Sequence, residues 1–310
     1  MDLSTNIRFP NLGLELNDIG TGISVFGFKI AYYGMIITLG MIAGYLIVAW
    51  MAKRTGQNPE TYLDFALWGI VISVICARLY YVAFTWDEFK DNPITILNLR
   101  TGGLAIYGGV LGAMLTAICY CKIKKLSFAL LADTSVIGLL LGQVIGRWGN
   151  FFNREAFGKY TNNLLAMQID IRNVSWDYTA SLEALAQKYA NMPKAYENIL
   201  EIRNHAVVID GATYLQVHPT FLYESLWNLA LMILLILYTK HKKFDGEICL
   251  LYLAGYGIGR FWIEGLRTDQ LFLWGTPIAV SQALAALMAL VAVALILYNR
   301  VKRKKKSYMS

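Results

Sequence analysis

The sequence predicts an all-α integral membrane protein with seven transmembrane helices, the N-terminus outside and the C-terminus cytoplasmic, and a small α+β external head domain. Three observations carry that prediction. Hydrophobic residues make up 56% of the 310-residue chain and charged residues only 16%, whereas soluble domains average roughly 45–50% and about 25%. The apolar excess is gathered into long runs, giving a mean hydropathy of +0.45. Basic clusters follow every second run. The net charge of +7 therefore reads as membrane topology and not as a nucleic-acid face, and no nucleic-acid partner is expected.

A spanning helix needs ~20 mostly apolar residues. Seven segments qualify: 24–51, 62–86, 103–121, 126–146, 219–239, 247–266 and 277–299. Lys53-Arg54, Lys122–Lys125, Lys240–Lys243 and Arg300–Lys306 all fall on one side, which the positive-inside rule makes cytoplasmic. The organisation expected is an external N-terminal segment (1–23), spans one to four with a polar loop (24–158), the head (159–217), spans five to seven (218–299) and a basic cytoplasmic tail (300–310). Residues 1–23 lack a basic stretch followed by a short apolar core, so no cleavable signal peptide is expected. Glycines at fourfold spacing, Gly40/Gly44, Gly108/Gly112, Gly138/Gly142/Gly146 and Gly255/Gly259, suit close helix packing. Cys76, Cys119, Cys121 and Cys249 lie within apolar runs and read as small buried hydrophobes. In the head, 164–171 reads as a strand and 180–191 as a helix ended by Pro193. Segments 206–209 and 212–217 read as a hairpin over Asp210-Gly211.

The chemistry is concentrated where the fourth run gives out. Within Gly146–Gly158 stand Arg147, Arg154, Asn150, Asn153, Glu155 and three glycines. Backbone freed from a helix at membrane depth is tolerated only where protein or water satisfies it, and Arg147 offers a fork suited to phosphate. The stretch reads as a membrane-embedded site for an anionic head group. In the sixth run Tyr256, Arg260, Glu264 and Arg267 share one helical face, either as an internal salt bridge or facing a cavity. Glu224, just inside the fifth run, requires a partner, and an arginine is expected. His218, at the start of that run, is a candidate base or a helix cap. Tyr107 stands among glycines in Gly102–Gly109, and Arg78 lies in the outer half of span two, where it snorkels or joins the other arginines. Four arginines (Arg78, Arg147, Arg260, Arg267) against Glu155, Glu224 and Glu264 suit one phosphate better than a cation path. No metal or nucleotide motif is present, and neither metal nor cofactor is expected.

The chain resembles the bacterial phosphatidylglycerol–prolipoprotein diacylglyceryl transferases over nearly its whole length. The resemblance is carried by Gly146–Gly158, Tyr32-Tyr33-Gly34, Gly102–Gly109, His218-Pro219 through Tyr223-Glu224, and Gly255-Tyr256-Gly257 through Arg260 and Glu264. It implies an enzyme of the bacterial cytoplasmic (inner) membrane with phosphatidylglycerol, membrane lipid and the signal peptide of a prolipoprotein, with its lipobox cysteine, as partners. The diacylglyceryl group would pass to the cysteine thiol, releasing glycerol-1-phosphate. Carried over residue by residue, Arg147, Arg260, Tyr107 and Glu155 are the expected catalytic groups. Arg147, Tyr33, Asn150, Asn153, Gly158, Glu224, Glu264 and Arg267 are the expected substrate-binding groups. Many members have a histidine where Tyr107 stands and an acidic residue where Thr101 stands; a phenol with reference pKa near ~10 is a poor base at neutral pH. The competing readings are a transporter of an anionic solute or lipid, for which inverted halves are not visible, and a membrane scaffold for the head.

Overall fold

Helix α1 (Tyr32–Arg54) opens the bundle, followed by α2 (Pro59–Phe84), α3 (Ile106–Lys124) and α4 (Phe128–Asn153). The head contributes α5 (Leu182–Lys188) and α6 (Pro193–Asn204), and the chain closes with α7 (Thr220–Tyr238), α8 (Glu247–Glu264) and α9 (Val280–Met309). This computed structural model describes residues 6–99, 102–190, 192–268, 270–272, 276 and 278–309, the side chains of 304–309 excepted. Thr101 lies outside the described residues.

Among the described residues six helices are long and apolar enough to cross a membrane, where the sequence predicts seven. The odd one is α8. Its 18 residues include Glu247, Arg260 and Glu264, so it is the most charged of the expected spans. Three boundaries also differ. The first span was expected from residue 24, yet strands β3 (Gly22–Val25) and β4 (Phe28–Ala31) pair there as a hairpin and helix begins only at Tyr32. Phe26 and Gly27 both have positive φ (48° and 80°), the pair a two-residue primed turn needs. The segment 146–158 was expected to leave the helix at Gly146, but α4 continues to Asn153. The break falls instead at Arg154 and Ala156, with φ of 54° and 57°. At the other end α9 carries helix on through the basic tail to Met309.

The chain divides into two units. One comprises Met1–Ala43, Leu139–Lys243 and Leu250–Ser310 and contains the head. Its five-stranded antiparallel sheet has the order β2-β1-β5-β7-β6, with β1 (Ile7–Phe9), β2 (Leu14–Leu16), β5 (Met167–Asp170), β6 (Val207–Ile209) and β7 (Ala212–Val217). The N-terminal segment is therefore part of the head sheet, with Ile7 opposite Ile169. Pro193 starts α6, as proline suits the first helical turn. The head core of Ile7, Met167, Ile169, Leu185, Ile199, Ile202 and Leu215 continues into Phe151 of α4 and Phe221 of α7, so the head is seated on the ends of the helices that carry the site.

The other unit comprises Gly44–Gly138 and Phe244–Cys249. Here α2 and α3 meet through small residues: a Cβ on Gly108 would stand 2.5 Å from the Cys76 carbonyl oxygen. Arg78 neither snorkels nor offers its charge to a ligand. Its Nε bonds the carbonyl of Ile96, Nη1 those of Gly102 and Gly103, and Nη2 those of Thr95 and Asn98, at 2.8–3.1 Å. All five N–H groups of a guanidinium are thus spent on the 95–103 loop. Asp133 of α4 accepts from the backbone N–H of Gly246 and Cys249 at 2.8 and 2.9 Å, capping α8.

Candidate active site

Three short segments are laced together where α4 ends, α7 begins and α8 ends. Gly158 N–H donates to the His218 carbonyl (2.9 Å), His218 N–H to the Lys159 carbonyl (3.0 Å) and Lys159 N–H to the Leu266 carbonyl (2.8 Å). The Thr220 hydroxyl bonds the Ala156 carbonyl. Gly158 is obligatory here: a Cβ would lie 2.7 Å from the Cβ of His218 and 2.9 Å from the Leu266 oxygen. This lacing fixes the helix ends, and through them the charged side chains one to two turns away.

Those side chains converge on Glu224. Its Oε2 lies 2.5 Å from Arg147 Nη2, and its Oε1 lies 2.8 Å from Arg260 Nη1 and 3.8 Å from Arg267 Nη1. Arg260 Nη2 also lies 2.5 Å from Glu264 Oε2, a charge contact whose angle is not that of a hydrogen bond. Arg267 Nε stands 4.0 Å from the same oxygen. The carboxylates are buried, with Glu224 and Glu264 each 4% exposed, while the arginine side chains keep 21%, 19% and 12% of their surface open. Buried carboxylates without such partners would be very costly. Three guanidiniums against two carboxylates leave the cluster with one positive charge in excess, the arginines being more open than the carboxylates they brace.

The turn after α4 has its own order. The Glu155 Oε1 accepts from Asn150 Nδ2 (2.9 Å) and Asn153 Nδ2 (3.2 Å), so the asparagines hold the turn. Tyr33 packs on Gly149, where a Cβ would stand 2.6 Å from the tyrosine ring. A cavity of about 420 Å³ behind the turn is lined by Asn153, Glu155, Phe157, Asp177, Tyr178 and Thr268, and not by Arg147, Arg260 or Arg267. His218 bonds the Tyr223 hydroxyl through Nδ1 (3.1 Å), and Asn163 Nδ2 donates to the same hydroxyl (3.1 Å). Burial, and secondarily Lys159, pushes the His218 pKa below its ordinary value. Tyr107 opens α3 in the other unit and is half exposed.

Sequence reasoning gave no role to several buried charges, Arg154 and Asp133 among them. Arg154 donates to the carbonyls of Phe152 and Ile19, tying the N-terminal segment to the end of α4. Asp133, the cap of α8, was visible as an aspartate inside the fourth apolar run.

This arrangement can hold a monoanion against paired arginines. A family model described as prolipoprotein diacylglyceryl transferase matches residues 21–298. The chain belongs to that family. A protein of Bacillus cytotoxicus, named phosphatidylglycerol–prolipoprotein diacylglyceryl transferase, is 40% identical over 273 residues, covering 88% of this chain and 89% of its own. Proteins of the same name from Listeria innocua (39% over 287 residues, 93% and 92%) and Clostridioides difficile (38% over 262 residues, 84% and 88%) are similar. The transporter reading finds no support among these relatives.

Proposed function

We propose that the protein transfers the sn-1,2-diacylglyceryl group from phosphatidylglycerol to the lipobox cysteine of prolipoproteins. The cysteine sulfur forms a bond to C3 of the diacylglyceryl glycerol while the C3–O bond to phosphate breaks. The bonding electrons leave with the phosphate as glycerol-1-phosphate, and the product is a thioether. One observation carries the reading: the surplus positive charge of Arg147, Arg260 and Arg267, braced by Glu224 and Glu264. Donors already fixed where negative charge develops on a leaving group lower the barrier without reorganising.

In this reading Arg147 and Arg260 contact the phosphate and Arg267 adds to the field. Glu224 and Glu264 are positioning residues, since arginines occupy them. Glu155, exposed beside the turn, takes the thiol proton, with Asn150 and Asn153 holding it; Gly158 fixes the helix ends and Tyr33 lines the lipid side. Tyr107 is assigned by resemblance alone. We take α8 as the seventh span, its charges facing protein as intramembrane charges do, with the N-terminus outside and the C-terminus in the cytoplasm of a bacterial inner membrane.

The test is transfer of labelled diacylglyceryl from phosphatidylglycerol to a lipobox peptide by the purified protein. Arg147→Ala should lower kcat about 10²–10³-fold while the protein still inserts. Full turnover in that variant would remove Arg147 from the chemistry.

A further inference from the structure

The β3–β4 hairpin pairs Ile23 with Ile30 and Val25 with Phe28, and Ser24 with Lys29. Side chains alternate across a strand, so Ile23, Ile30, Val25 and Phe28 share one face and Ser24 and Lys29 the other. The apolar face is open: Phe28 is 73% exposed, and Phe26, at the tip, 98%. Among the described residues the hairpin joins no further strand, and a lone two-stranded hairpin is marginal in water. Phe26 also takes φ 48°, a conformation that favours glycine, asparagine or aspartate. One residue thus combines an unfavourable backbone with complete exposure of an aromatic ring, a combination that calls for a covering partner.

Continuity says what that partner is. Ala31 ends β4 and Tyr32 begins α1, whose N–H bonds the Thr21 carbonyl at 3.0 Å. Beyond it α1, one of the helices long enough to span, presents Met35, Leu39, Ile42 and Leu46 outward. The hairpin thus runs directly into a helix long and apolar enough to cross the membrane.

We propose that the β3–β4 hairpin is a leaflet anchor, with Ile23, Val25, Phe28 and Ile30 against acyl chains and Phe26 inserted at the glycerol level. Ser24 and Lys29, on the opposite face, point away from the bilayer into water. Interfacial elements of this amphipathic kind sink their apolar side into the boundary of head groups and chains. The inference rests on α1 spanning the membrane and is independent of the transfer chemistry.

Full-length protein carrying p-benzoylphenylalanine at position 26, 29 or 39, in vesicles of phosphatidylglycerol and phosphatidylethanolamine, is irradiated and its adducts identified by mass spectrometry. Phospholipid adducts are expected at 26 and 39 and absent at 29. Adducts at 39 without any at 26, equal adducts at 26 and 29, or capture of a second copy of the chain or of added prolipoprotein at 26, would each overturn the proposal. No lipid adduct at 39 would overturn the span reading of α1 and the anchor with it. Phe26→Asn supplies a control that favours the turn itself. It should leave thermal unfolding in detergent unchanged yet make the hairpin accessible to added protease in vesicles, and undiminished protection would count against the anchor.

Discussion

Glu224 is the residue on which the site turns, because one carboxylate serves three guanidiniums. Removing its charge leaves like charges facing one another with only Glu264 between them. Glu224→Gln should destabilise the protein by about 3–5 kcal/mol, read as a lower unfolding midpoint in detergent, and should abolish transfer. That a glutamate in the fifth run needs an arginine is legible from the cost of burying a lone charge. That it gathers arginines from α4, from α8 and from the turn after α8 is not, since only tertiary packing brings Arg147, Arg260 and Arg267 together. His218 carries a different test. Its folded pKa is depressed by burial and by Lys159, so the unfolded chain takes up the proton first, near pH 6.5. The neutral ring's contribution is present above about pH 6.5 and is lost as pH falls below it. Unfolding midpoints measured between pH 7.5 and 5.5 should decline, and His218→Asn should flatten that decline.

Among the elements, the loop held by Arg78 is the most dependent on a single side chain. Lysine has three donors in place of five, so Arg78→Lys keeps the charge but strands carbonyls among Thr95, Ile96, Asn98, Gly102 and Gly103. Limited proteolysis should then cut this loop faster while the helices stay intact; an unchanged cleavage pattern would show the loop holds itself. The apolar helices and the Asp210-Gly211 hairpin were readable from run length and turn chemistry, whereas α6, opened by the Pro193 expected only to end the head helix, was not. The course of α4 through Gly146 and Gly149 was not, because glycine signals a break only when nothing needs its small size, and here Tyr33 fills the space above Gly149. Strands β1 and β2, three residues each, have no period to detect, and β5, the other neighbour of β1, lies some 160 residues on. Asp133, by contrast, was in plain view and needed only the question of which helix end it caps.

At the scale of the whole molecule, the proposed topology predicts where reporters will work. Phosphatase fused to the C-terminus should be inactive and a fluorescent protein there bright, since the basic tail lies in the cytoplasm in this reading. The reverse pattern would reject the seven-span arrangement. That arrangement bears on biogenesis. Arg260 and Glu264 sit toward the C-terminal end of α8, where a charge costs less to insert than the roughly 2.5–3.5 kcal/mol of an arginine at a helix centre but still needs a partner. Their partners, Arg147 and Glu224, lie earlier in the chain and so emerge first from the ribosome. In this reading α8 enters lipid with α4 and α7 already in place to receive it, so that the ion cluster around Glu224 guides membrane assembly as well as holding the site.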